Sequence, residues 1–149
     1  MMRNILKKFF SASEQDTVQV AEYLKGILKP NDVVLLEGDL GSGKTFLVKA
    51  FCQLINTEDP ASSPSFAIVH HYRGAQPVNH FDFYRLHYES ELDQLGWEEM
   101  LNQGAISFIE WPQLIEKHLR RYYKIKIYFE GERRVFELFK IDKTNQGEK

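Results

Sequence analysis

A chain of 149 residues that is 43% hydrophobic and 27% charged has the make-up of a globular protein with one substantial core. Its 19 Lys and Arg against 21 Asp and Glu give a net charge of −2, which excludes the basic excess of a dedicated nucleic-acid binder. No apolar run nears the roughly 18 residues of a membrane span, and a single cysteine, Cys52, rules out an internal disulfide.

In chain order, Asn4 to Phe10 suits a short strand. From Ser13 to Leu28 the apolar residues Val20, Ala21, Leu24, Ile27 and Leu28 recur at helical spacing, with Ser13 and Asp16 arranged as a capping box. Pro30-Asn31-Asp32 ends that helix, and Val33 to Glu37 reads as a central parallel strand. Thr45 to Ile55 is a second helix, with Cys52 as core filler, and 56–65 is loop. Phe66 to Tyr72 and Val78 to Phe83 flank "RGAQ" as an antiparallel hairpin. Glu89 to Leu95 and Trp97 to Leu101 suit short helices, Ala105 to Ile109 a buried strand, and Gln113 to Leu119 a helix. Tyr123 to Phe129 alternates, turns at Glu130-Gly131-Glu132 and returns over Arg134 to Ile141 as a terminal hairpin. The organisation expected is one domain over 1–142 and a polar, disordered tail over 143–149. The basic start of the chain has no apolar region of leader type, so a cytoplasmic location is expected.

Between the second strand and the second helix stands "GDLGSGKT": Gly38, Asp39, Leu40, Gly41, Ser42, Gly43, Lys44 and Thr45. Glycines let the backbone turn tightly so that successive N–H groups form an anion nest at the positive end of a helix. In such a loop Lys44 meets the β- and γ-phosphates, and the Thr45 hydroxyl ligates magnesium. A chance glycine turn would lack the flanking strand and helix. With no Asn-Lys-x-Asp segment for guanine, ATP is the expected nucleotide.

A phosphate loop needs an acid on a neighbouring strand. Glu110 closes the apolar run "AISFIE" and is expected in the magnesium shell. Asp82 follows "VNHF", whose alternation suits a hairpin strand, and is expected to orient the attacking or a metal-bound water. Ser62 to Phe66 occupies the usual position of a segment that senses the γ-phosphate; a plain proline turn is the other reading. The histidines match no zinc spacing and read as strand and surface residues. The basic pairs read as solvated faces, with a nucleotide contact or partner surface as the alternative, and Trp111 reads as a residue flanking the site or simply packing.

Taken together, "GDLGSGKT", "SSPSF", "HFDFYRL" and "EWP", in this order and spacing over residues 11 to 141, resemble the bacterial TsaE family of ATPases in tRNA threonylcarbamoyladenosine biosynthesis. The resemblance implies an α/β, P-loop NTPase-like three-layer fold: a central mixed sheet flanked by helices, ending in a β-hairpin. It implies Thr45 and Glu110 as magnesium residues, Asp82 as the Walker B-like acid, and Ser13, Glu14 and Thr17 in a segment that helps enclose the nucleotide. Arg134 is implied as a late nucleotide contact. Ser65 stands where the family usually has Thr, and keeps the hydroxyl of a switch role. The implied partners are the TsaD and TsaB proteins, with tRNA met only through their complex and no membrane or DNA.

The expected function is therefore an ATPase, slow alone and stimulated by partners, that drives turnover of the threonylcarbamoyl-transfer complex. A small-molecule kinase and a nucleotide-gated binding module are the alternatives. The kinase is disfavoured by the lack of a lid-like, arginine-bearing insert.

Overall fold

The computed structural model describes residues 2–39, 41–58 and 68–143. Leu40, the 59–67 segment with Ser62, Ser63, Ser65 and Phe66, and the tail over 144–149 lie outside the described residues. In chain order the elements are β1 (Met2–Ser11), α1 (Glu14–Ile27), β2 (Val33–Glu37), α2 (Lys44–Leu54), β3 (Val69–Tyr72) and β4 (Val78–Asp82). Then come α3 (Glu89–Gln94), α4 (Trp97–Leu101), β5 (Ile106–Glu110), two 3-10 turns (Pro112–Leu114 and Glu116–His118), β6 (Arg121–Glu130) and β7 (Arg133–Asp142).

Among the described residues seven strands join one mixed sheet in the order β1-β7-β6-β2-β5-β4-β3. The four strands β6, β2, β5 and β4 run parallel, and β3, β7 and β1 add antiparallel edges. β2 is apolar throughout because both its faces are covered. Val34 and Leu36 pack with Leu24, Leu47 and Phe51 under α1 and α2. Val33 and Leu35 pack with Leu92, Leu101 and Ile115 under α3, α4 and the first 3-10 turn. The result is the three-layer α/β arrangement of a P-loop NTPase-like fold. Cys52 is buried in the first of these cores, as filler.

The cap of α1 forms as expected. Ser13 Oγ accepts from Asp16 N at 3.3 Å, while Asp16 Oδ2 accepts in return from Ala12 N at 3.1 Å. One local expectation fails and a second is incomplete. The helix over Gln113 to Leu119 is instead a pair of 3-10 turns broken at Ile115, which is fully buried. Seven residues repay little of the cost of helix nucleation, and the core contact of Ile115 decides the path. β4 does pair antiparallel with β3, but it also pairs in parallel with β5, so it is an interior strand. Val78, Asn79, His80 and Phe81 are consequently all buried, whatever their alternation suggests.

Candidate phosphate-loop site

Strand register does most of the work of assembling this site. Asp82 and Glu110 are direct cross-strand partners at the C-terminal ends of β4 and β5, and Leu36 of β2 is the partner of Glu110 on the other side. Paired residues project to the same face of a sheet, and that face alternates along the strand. Asp82, Glu110, His80 and Phe108 therefore share the face covered by α2, where Phe51 packs edge-on to Phe108 with ring centroids 5.1 Å apart. Carboxyl ends of parallel strands are where open α/β sheets bind ligands.

The loop leaves β2 at Gly38 and enters α2 through Gly43, which has φ of 107°. Gly41 is also left-handed, at φ 78°. Gly38 is constrained by space: a Cβ there would lie 2.7 Å from the Ile127 carbonyl of β6 and 2.8 Å from Ser42 Oγ. Ser42 N donates to Asp39 O at 3.1 Å and closes the turn.

Lys44 is not an exposed loop lysine. It is 4% exposed, its Nζ donates to Gly38 O at 2.6 Å, and the ammonium sits 3.8 Å from the centre of the Trp111 indole. Burial lowers its pKa, an effect that Glu110, Asp82 and Asp39 partly oppose. Trp111 holds a left-handed backbone at φ 57°, strained for a bulky residue, and its ring lies 4.8 Å from that of Tyr84.

Thr45 Oγ1 donates to Glu110 Oε2 at 2.9 Å, and His80 Nε2 is hydrogen-bonded to the same oxygen. Burial pushes the Glu110 carboxyl up, but the hydrogen bonds from His80 and Thr45 and the charge of Lys44 outweigh it, so its pKa lies below the ordinary glutamate value. Asp82 is exposed, and its Oδ1 accepts from Tyr84 N at 3.1 Å in an Asx turn. These groups line a cleft of about 300 Å³. A second cavity, of about 470 Å³, opens near the opposite ends of β2 and β6, beside Asp32, Arg121 and Tyr123. It has no glycine loop, so the larger space is not where the phosphate chemistry converges.

The structure thus brings together Gly41, Gly43, Lys44, Thr45, Asp82 and Glu110. Arg134 joins them from β7: its Nε lies 3.5 Å from where a Cβ on Gly43 would be. Arg134 Nε and Ser42 Oγ are buried and make no hydrogen bond to the described residues, so two polar atoms beside the loop are left for an anionic ligand. Ser13 and Glu14 are exposed at the start of α1, and neither bonds to a described loop residue. They are near the site through Ser11, which is the register partner of Arg134. Leu40 and Ser65, as noted, are not described.

Reading the sequence missed two participants. His80 is a strand residue, as expected, but it is buried at the site, and its spacing of two from Asp82 is the signal that puts it on the same face. Lys124 is likewise not on a solvated face: 12% exposed, it bridges Glu37 at 2.8 Å and Glu116 at 3.0 Å, tying the end of β2 to the turns that follow Trp111. Among the described residues no group of three His, Cys, Asp or Glu could hold a metal on its own, and no helix is long and apolar enough to cross a membrane.

The profile of a family described as "Threonylcarbamoyl adenosine biosynthesis protein TsaE" matches residues 11–136. A tRNA threonylcarbamoyladenosine biosynthesis protein TsaE of Rickettsia conorii is 43% identical over 112 residues, covering 72% of this chain and 61% of that protein. The protein of the same description from Bacillus subtilis is 36% identical over 113 residues, covering 75% and 70% respectively. The chain thus spans less than two thirds of the Rickettsia relative that it matches. A solved structure titled "Crystal structure of Bacillus subtilus YdiB" superposes with a TM-score of 0.76 at 27% identity, over 99% of this chain and 93% of that one.

Proposed function

The chain belongs to the TsaE family of tRNA threonylcarbamoyladenosine biosynthesis proteins, and on that premise we propose that it binds ATP with magnesium and hydrolyses it to drive turnover of the threonylcarbamoyl-transfer complex. The observation that carries this reading is the meeting of loop, lysine, hydroxyl and two register-paired carboxylates in one cleft.

The loop amides and Lys44 receive the phosphates, with Arg134 and Ser42 supplying donors beside the loop. Thr45 and Glu110 would hold magnesium, whose charge would help neutralise the terminal phosphates. The absence of an all-protein metal cage among the described residues agrees with magnesium, which takes few protein ligands and keeps substrate oxygens and waters. Asp82, exposed at the mouth and turned by its bond to Tyr84 N, is the acid that orients the attacking water. Ser13 and Glu14 close the nucleotide side from α1.

Stabilising the charge on a transferring phosphoryl group needs a cation, and one supplied by a partner can be worth roughly a thousandfold or more. Arg134 comes beside the loop from β7, a strand rather than a finger-like loop, and is read as a binding contact, so the finger is expected from a partner. The chain alone therefore binds ATP well and turns it over slowly, while TsaD and TsaB homologues stimulate it and supply the tRNA contact. Steady-state phosphate release from the chain alone, then with both partners and tRNA, tests this. Stimulation coupled to repeated tRNA modification is the expected result. Fast hydrolysis alone with no response to partners overturns the partner-driven reading, and phosphate transfer to a small acceptor would favour a kinase.

A further inference from the structure

Two donors, one from α2 and one from β4, converge on a single oxygen of Glu110. Thr45 Oγ1 reaches Oε2 at 2.9 Å, and His80 Nε2 reaches the same atom from a ring that is 5% exposed. An ionised carboxylate can only accept, so the proton of this imidazole sits on Nε2. The Thr45 hydroxyl has one proton and gives it to Glu110, which leaves its oxygen lone pairs free to meet a cation. Oε1 of Glu110 takes no hydrogen bond from any described residue.

We infer that His80 is a positioning residue for the magnesium site, locking Oε2 of Glu110 as the shared acceptor of His80 and Thr45 so that Oε1 and the Thr45 oxygen are the atoms offered to the metal. This rests on the ATP and magnesium reading above. A long glutamate side chain at a strand end has several rotamers, and fixing it has an entropic cost at the moment of metal binding. His80 meets that cost in advance. It is suited to do so because β4 is interior, paired on both sides, and the imidazole is only 5% exposed, so its direction is set by the sheet rather than by solvent. A histidine that merely filled the core would not need its donor on the atom that also orients Thr45.

Three substitutions separate positioning from packing. His80→Gln brings an amide N–H to about the position of Nε2; His80→Asn brings it only to that of Nδ1; His80→Leu removes it. Binding of a fluorescent non-hydrolysable ATP analogue to the full chain is titrated with magnesium chloride and repeated in a chelator. Outer partners of metal ligands typically carry about 10–100-fold in metal affinity. His80→Asn and His80→Leu should weaken the magnesium dependence by that order, with chelator-state binding unchanged, and His80→Gln should restore it to within about threefold. Equal magnesium dependence in folded His80→Leu, His80→Asn and wild-type chains, while Glu110→Ala still loses it, overturns the inference. If wild type shows no nucleotide binding at all, the ATP reading fails and takes this inference with it.

Should the variants not fold, the wild-type chain decides. In histidine-labelled protein the His80 Nε2–H resonance should shift when magnesium is added to the nucleotide complex, and more than the resonances of the exposed His71 and His87. An Nδ1–H tautomer, or a resonance indifferent to magnesium, overturns the proposal.

Discussion

Lys44 is held between a carbonyl and an indole: its Nζ is 2.6 Å from Gly38 O and 3.8 Å from the centre of the Trp111 ring. To meet a phosphate it must exchange the carbonyl for anionic oxygens and shift beneath the ring. A desolvated ammonium over tryptophan is worth about 2 kcal/mol, so the indole will feel that exchange.

Trp111 should therefore report nucleotide binding. The chain has two tryptophans, and the other, Trp97, packs near the exposed His118 with ring centroids 5.8 Å apart. In Trp97→Phe, emission should change when magnesium and ATP are added; in Trp111→Phe it should stay flat. A response confined to Trp97 would mean that the ammonium and indole do not rearrange together.

Lys44→Ala should lose about 10–100-fold in ATP affinity, the equivalent of a charge-assisted hydrogen bond of roughly 1.5–3 kcal/mol. Stability should change little, because the lost bond to Gly38 O is offset by removing a buried ammonium. Calorimetric titration beside a thermal melt reads both quantities. A folded variant with unchanged affinity would remove the phosphate-loop reading.

Glu110→Ala and Asp82→Ala should separate. Loss of Glu110 strands buried His80 and frees Thr45, so it should weaken magnesium-dependent binding and also cost about 1–3 kcal/mol of stability. Asp82 is exposed, and its removal should spare stability and binding while lowering turnover. Binding with and without magnesium, set beside a denaturant melt, distinguishes the two acids. The reverse pattern would exchange their roles.

The same glycine-to-alanine change should have opposite signs at two positions. At Gly38 the new methyl meets the Ile127 carbonyl at 2.7 Å, a backbone atom that cannot step aside, so a loss of about 1–3 kcal/mol is expected. Gly26 lies within α1 with nothing inside 4 Å of an added Cβ, and Gly26→Ala should stabilise by about 0.4–1 kcal/mol. Urea denaturation of the two variants gives both signs directly.

Lys124 and Glu116 should leave a mark on the pH dependence of stability. Burial pushes the Glu116 carboxyl up, but hydrogen bonds from Tyr122 and Lys124 and the charges of Lys124 and Lys143 hold it below its ordinary value. A group depressed on folding stabilises the fold above its unfolded pKa, about 4.3 for glutamate, and that stability is lost as pH falls through the folded value. Lys124 has the opposite sense: burial lowers its pKa, Glu37 and Glu116 outweigh that and raise it, and its share is lost only as pH rises through the raised value. Glu116→Gln should flatten the acid limb of a stability profile measured from pH 7 down to about pH 3, spanning that range. An unchanged limb would mean the network contributes nothing to folding.

Local signals were legible in the sequence wherever a residue's role depends on its chain neighbours. The strand, glycine loop and helix from Val33 to Leu54 follow from an apolar run, turn residues and helical spacing, and the Ser13 cap from a pairing three residues apart. Glu110 was legible too, because a strand buried on both faces needs a continuous apolar run, which ends at the acid. Other roles were set by partners distant in sequence. Which strand lies beside β5 decided that β4 is interior, that Asp82 pairs with Glu110, and that His80 is buried against a carboxylate 30 positions away. Lys124 looked like a solvated charge until Glu37 and Glu116 came to flank it, and Gly38 is tight because of a carbonyl on β6. Hydrogen bonding and burial act over a few ångströms of space, whereas periodicity is confined to a few residues of chain. Chain order therefore determined the elements and the loop, and strand order decided which side chains meet in the cleft.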